Sequence, residues 1–287
     1  MNSILPTVVL AMFVMFAALA RAQEWPYFVT YSHDMEEPGN LEINLGNLVG
    51  KPQVGNRFIG SALEFEYGVK TWWTTEFYLD GQMTQHDSTI FTGYRWENRF
   101  RPLLREHWIN PVLYIEFENV SGDKTLREVV GHDGKDDLLD PNAEGRQEKE
   151  REIELKLILG SNFHGWNVSE NIIAVKNVGA PEPWEFGYAW GISRPLKLAA
   201  SARDCAFCAE KFRGGVEMYG GLGDRYSFGT RFTSHYIGPT ISWQAPNGMS
   251  FAFSPQFGMN DFSVPRLYRF SIAYEIDQFL SRFHGRR

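Results

Sequence analysis

Beyond residue 22 the chain has no apolar run approaching the roughly 20 residues that a helix needs to cross a bilayer, which argues against a helical membrane protein. It has no basic excess either: 28 Lys and Arg stand against 35 Asp and Glu, a net charge of −7, and this disfavours nucleic acid as a partner. Cysteine is almost missing. The two present, Cys205 and Cys208, lack the βαβ context of a redox motif, and haem attachment would need a histidine where Ala209 stands. Zinc would need two more ligands, and no nearby histidine supplies them. The pair therefore reads as a disulfide closing a turn in an oxidising compartment.

The seven histidines, His33, His86, His107, His132, His164, His235 and His284, are scattered without metal spacing. Ser234 and His235 are neighbours, and on a strand they face opposite sides, so they cannot pair as nucleophile and base. The chain reads as a non-enzyme with no catalytic residue, no metal site and no cofactor. Asp133, Asp136, Asp137, Asp140 and Glu144 cluster in one loop, but their spacing does not match an EF-hand, and a solvated loop is expected there.

Residues 1–22 hold an apolar stretch, Ile4 to Leu19, too short to span a bilayer comfortably, followed by the small-x-small run Ala20-Arg21-Ala22. An export signal cleaved before Gln23 is expected, although its start carries no Lys or Arg. Its removal takes one base and no acid, leaving 27 against 35 and a net charge of −8. The first residue after the cleavage site is Gln23 and not a cysteine, which argues against a lipoprotein. Residues 23–40, a polar lead with Pro26, Pro38 and His33-Asp34, read as an N-terminal periplasmic segment.

What the chain does have is aromatic residues, 15% of the total, 27 glycines, and alternation. From Tyr268 to Ile276, the residues Tyr268, Phe270, Ile272, Tyr274 and Ile276 fall on one face, and Arg269, Ser271, Ala273 and Glu275 on the other. The pattern recurs often enough to predict about twelve antiparallel strands, 41–276, closing into a transmembrane β-barrel, with a tail over 277–287. The first strand is expected over Leu41–Leu45, with a loop from there to about Gly60. Both termini are expected on the periplasmic side, and the one long loop, 121–150, then falls on the outside.

The charged faces would line the lumen. They carry Glu64 and Glu66; Glu76; Arg95, Glu97 and Arg99; Glu116 and Glu118; Glu152, Glu154 and Lys156; Glu185; Glu217; and Arg269 with Glu275. Acids outnumber bases eleven to four on these strands, which favours cations or neutral polar solutes over anions. The outward rings Trp73, Trp96, Trp166, Trp184, Trp190, Trp243, Tyr67, Tyr268 and Tyr274 suit the two membrane interfaces, with outer-membrane lipid as partner.

The segments Gly93-Tyr94-Arg95-Trp96-Glu97-Asn98-Arg99, Asn110-Pro111-Val112-Leu113-Tyr114-Ile115-Glu116 and Tyr219-Gly220-Gly221-Leu222-Gly223 carry a resemblance. In them the chain resembles the outer-membrane β-barrels of the meta-pathway phenol-degradation transporter group. The resemblance spans most of the chain after residue 22 and implies an outer-membrane location and a channel for small organic or aromatic solutes. It transfers no catalytic or binding residue. Two other readings stand beside the channel: a non-conducting barrel serving as envelope scaffold or receptor through loop 121–150, and, below it, a secreted soluble β-sandwich.

Overall fold

The computed structural model describes residues 26–122, 124–125, 130–131, 138, 140–147, 149–199, 201 and 205–284. The expected export signal therefore lies outside the described residues. Twelve strands form one sheet: β1 (Leu41–Gly50), β2 (Phe58–Lys70), β3 (Trp73–Thr84), β4 (Thr89–Phe100), β5 (Asn110–Val120) and β6 (Glu150–Phe163) come first. They are followed by β7 (Trp166–Asn177), β8 (Glu185–Pro195), β9 (Phe212–Asp224), β10 (His235–Gln244), β11 (Met249–Gly258) and β12 (Arg266–Ile276). Each pairs antiparallel with its sequence neighbour, and β1 closes on β12 with Leu41 opposite Ile276. Closure leaves no unpaired edge.

The even strand number puts both barrel termini at one end. At that end the connections are mostly tight: β6 and β7 are joined by His164 (φ 49°) and Gly165 (φ 80°), the two positive-φ residues of a type I′ hairpin. The opposite end carries the 121–149 loop.

Outside, the period-2 stripe becomes an apolar belt. Phe77, Leu113, Ile115, Leu155, Ile172, Ile241, Phe253 and Ile272 are all 40–53% exposed. No helix among the described residues is long and apolar enough to cross a membrane, and the large exposed apolar side chains of the belt are carried by the strands.

The interior departs from the simplest expectation. The alternation weakens at Leu48 in β1 and at Ile173 and Val175 in β7 because these apolar side chains point inward. There they join Phe58, Tyr219, Tyr236, Val264 and Leu267 in an internal apolar layer. For the same reason β1 runs on to Gly50 instead of ending near Leu45, and the loop that follows is shorter than expected.

Two segments outside the strands complete that layer: Val29 from the N-terminal lead, and Val130 with Leu138 from the long loop. Residues 26–40, expected in the periplasm, lie inside the barrel. They form an arch that rises from the terminus end to Val29 and returns past His33 to β1. The described part of the long loop, expected to be solvated, packs into the other mouth through Lys124, Thr125 and Asn142, each at most 3% exposed. The tail forms a short helix, Phe279–His284, whose start is tied to the foot of the arch by Phe279 N–H to Gly39 O (2.8 Å) and Gln278 N–H to Asn40 Oδ1 (3.0 Å).

Candidate functional site

Register brings the inward acids into a single row. Glu275 of β12 lies opposite Glu42 of β1, which lies opposite Glu66 of β2. The row continues as Glu66 opposite Glu76, Glu76 opposite Glu97, Glu97 opposite Glu116, and Glu116 opposite Glu154. It ends on β7, where Val175 faces Glu154. Seven neighbouring strands thus place glutamates directly opposite one another, an arrangement that is repulsive strand by strand.

Three inward bases and a set of tyrosines hold the row together. The Arg99 guanidinium bonds to Glu66 and Glu76 and lies 3.2 Å from Glu97. Arg95 donates to Asp80 (2.8 and 3.3 Å) and to Glu116 (3.1 Å), with its carbon 4.3 Å from the Tyr78 ring centroid. Lys156 Nζ lies 2.8 Å from Glu154 and 4.3 Å from the Tyr114 ring. The Tyr78 hydroxyl bonds to Glu76 and Glu97, and the Tyr114 hydroxyl to Glu116. Such buried charges are tolerated only where a hydrogen-bond donor or an opposite charge is set against them, as Lys156 is against Glu154.

The arch locks into this wall. Tyr31 donates its hydroxyl to Glu97 (2.9 Å), while its ring receives Lys156 at 4.6 Å and Arg99 at 5.3 Å. Next to it, the backbone N–H groups of Phe28, Val29 and Thr30 all donate to Oε1 of Glu217 (3.0, 2.7 and 2.7 Å). The other carboxylate oxygen of Glu217 accepts from Gln256 (3.3 Å). At the terminus end, the buried His33 ring reaches Glu106 (3.0 Å) in the β4–β5 connection. The Tyr27 hydroxyl, 3.1 Å from Asn167 Oδ1, is pushed up by burial from the ordinary phenol range.

At the loop end, Lys124 N–H donates to Gln82 (2.8 Å), and its ammonium donates to Thr84 (3.0 Å) and Asp140 O (2.8 Å). Burial lowers this ammonium from the usual lysine value. Asn142 accepts from Gln82 and Thr84 and donates to Ser88 O (2.7 Å). Gly131 N–H bonds to Phe186 O, bridging loop to wall. Of the expected acidic loop residues, 133, 136 and 137 lie outside the described residues.

Between the arch and the β12–β1–β2 wall a cavity of ≈190 Å³ remains, lined by Tyr31, Glu36, Glu42, Glu64, Arg269 and Glu275 among others. That is room for on the order of ten waters. Glu64, Glu66 and Glu76 bring one carboxylate oxygen each within 4.8 Å of one another. Arg99 already takes two of the three, so the cation in that cluster is the protein's own.

Every inward residue expected from the alternation sits on the inner face, but not in one cluster. Glu64, Glu66, Glu76, Arg95, Glu97, Arg99, Glu116, Glu154, Lys156 and Glu275 belong to the row and its partners. Glu118 and Glu152 face each other, and Arg95 lies opposite Glu118, towards the loop end. Glu185 lies near Gly131. Glu217 stands on the opposite wall, on β9, whereas Arg269 lies on β12, nearer the loop end than Glu275, and donates to the Tyr219 hydroxyl of β9 (3.2 Å).

Glu42 was within reach of the alternation, since Ile43 flanks it outward, and Asp80 falls inward in the same stripe as Glu76, with Leu79 outward. Tyr31, His33 and Glu106 carry no periodic signal, because their roles depend on a chain fold that the strand pattern does not encode. Ser234 and His235 do not meet: Ser234 donates to Phe262 O (2.9 Å), whereas the His235 ring contacts Tyr188 (3.1 Å) and Thr233 (2.9 Å). Cys205 and Cys208 are disulfide-bonded.

No protein-family model matches the chain, and no curated protein matches it by sequence. Solved structures do. The COG4313 outer membrane channel from Pseudomonas putida F1 aligns over 85% of this chain and 97% of its own length, at TM-score 0.53 and 9% identity. The KdgM porin aligns over 81% and 98%, at TM-score 0.49 and 8% identity. At such identities the likeness is one of fold: a closed outer-membrane-type barrel.

Proposed function

We propose that the chain is an outer-membrane channel for small solutes, with cations and neutral polar molecules preferred and small organic or aromatic compounds within its range. The observation that carries this reading is how the lumen is filled. Closing twelve strands leaves more space than wall side chains occupy, and here two lengths of chain take it up, the arch from one mouth and the long loop from the other. A barrel needed only as a scaffold could fill its interior with apolar side chains. This one carries seven facing glutamates on half its wall, at a cost in stability that an acidic permeation path explains. The organic and aromatic part of the range rests on the resemblance of the strand segments.

The arch is the gate in this reading, because it is attached to the barrel at one end only of its described length. Single-channel recording in a planar bilayer tests it. The chain from Gln23 onward should give rare or no openings, and deletion of residues 26–38 should give steady, cation-selective steps. A deleted barrel that still shows the gel shift of a folded barrel but stays silent would overturn the channel. It would favour the second reading, a plugged scaffold or receptor, which the double filling of the lumen also supports.

A further inference from the structure

The described residues of the connection between β8 and β9, 196–199, 201 and 205–211, lie at the terminus end of the barrel, with Leu198, Leu196 and Phe207 against its outer face. The Cys205–Cys208 bond closes a four-residue loop, and the Phe207 ring lies flat on Trp243, centroids 4.9 Å apart and planes 11° from parallel. Trp243 stacks in turn on Phe251 (5.3 Å) and Phe212 (6.3 Å) of the adjoining strands. The only polar atom of the Trp243 ring, its indole N–H, donates to Ala206 O at 2.7 Å. The stack therefore has no donor left that needs water.

The same loop lays two leucines on the wall. Leu196 is in contact range of Gly214 on the outer face of β9, and Leu198 lies over Gly165 in the β6–β7 turn. Yet Phe207 is 73% exposed, and Leu196 and Leu198 are 58% each. Packed on one side and bare on the other, the three line the foot of the belt: Phe207 on Trp243, one outward position from Ile241, Leu196 beside Gly214, the partner of Ile241, and Leu198 at the β6–β7 turn. The level is continuous around the barrel with Trp72, Trp73 and Phe100, with Trp108 against Phe163, and with Trp166 beneath Arg194. Lys197 and Lys211 flank the loop.

We propose that the disulfide-closed loop is a lipid clasp: Phe207, Leu196 and Leu198 insert at the headgroup–acyl boundary of the adjacent leaflet, and bilayer phospholipid is their partner. Apolar rings and side chains at that depth, with basic residues at the headgroups, are what an interface selects. The disulfide closes the tip, and the Phe207 stack and the Ala206 bond to Trp243 hold it against β10, so the clasp keeps its shape. The inference rests on the barrel spanning a bilayer and is independent of whether the lumen conducts.

The test uses Leu198→Cys, whose thiol is the one free for labelling once Cys205 and Cys208 are bonded, carrying an environment-sensitive fluorophore on protein refolded into phosphatidylcholine–phosphatidylglycerol vesicles. Asn247→Cys in the β10–β11 turn is the water-facing reference. Nitroxide placed at the lipid headgroup should quench the Leu198 label about threefold more than the reference, and aqueous iodide about threefold less. In the Cys205→Ser, Cys208→Ser background the iodide quenching should rise at least about twofold. Equal iodide quenching at both sites in a gel-shifted barrel overturns the clasp. Shielding from iodide without lipid quenching also overturns it, and points to a protein partner. Loss of the gel shift in the unlabelled chain would instead remove the membrane barrel on which the inference stands.

Discussion

One oxygen of Glu217 holds the crown of the arch. Three successive backbone N–H groups, from Phe28, Val29 and Thr30, converge on it within 3.0 Å, and each would otherwise be a buried donor away from water. A concave run of N–H groups favours a negative charge, so the carboxylate is better suited than any neutral acceptor. Glu217→Ala should therefore cost about 3 kcal/mol of unfolding free energy, since a buried unsatisfied donor costs about 1–3 kcal/mol and water can reach only some of them. It should also raise the open probability in bilayer recordings. Glu217→Gln keeps an acceptor oxygen and should sit between Ala and wild type in both readouts. If Gln and Ala behave alike, the charge and not the hydrogen bonding holds the arch. If neither moves the open probability, Glu217 is not part of the gate.

Among the elements, β2 is one that both plugs approach backbone to backbone. A Cβ on Gly60 would stand 2.7 Å from the Thr125 Cα at the loop end, and a Cβ on Gly68 would stand 2.6 Å from the Glu37 carbonyl carbon at the terminus end. Neither approach tolerates a side chain. Gly60→Val should push the long loop out of the mouth and expose Lys124, which is 2% exposed in place. Trypsin should then cut at Lys124 at least about tenfold faster than in wild type, because cleavage follows local opening. An unchanged rate would mean that the loop is held elsewhere. The strands themselves were legible because alternation is a local signal: about twelve were expected, and the stripe from Tyr268 to Ile276 falls within β12 and ends with it. The plugs were not. Val29, Tyr31 and Val130 owe their burial to partners far along the chain, Glu217 for Val29 and Glu97 for Tyr31 among them, and a loop filling a lumen has the polar, aperiodic composition of one in water. The charged face was legible residue by residue, but its alignment into a row required the register.

At the scale of the whole molecule, the belt separates a membrane barrel from a soluble β-protein with the same pattern. Both alternate, but a sandwich buries its apolar face between sheets, whereas here the inner face is the charged one and large apolar side chains point away from the barrel. An exposed apolar surface of this extent is a liability in water and a requirement in lipid. Depth along one strand gives a quantitative test. On β6, Leu155 lies near mid-strand at 40% exposure, and Phe163 ends the strand in the terminus-end girdle at 50% exposure. Arginine at the hydrocarbon midplane of a barrel costs about 2–4 kcal/mol, falling to about 0–1 near the interface. Leu155→Arg should therefore destabilise the refolded protein by at least about 2 kcal/mol more than Phe163→Arg, measured by reversible denaturant unfolding in vesicles. Were the outer face in water, both positions would be exposed surface, and both substitutions would fall within about 0.5 kcal/mol of wild type. The difference between two substitutions on the same strand, to the same residue and on the same face, depends on the medium outside the barrel and on little else.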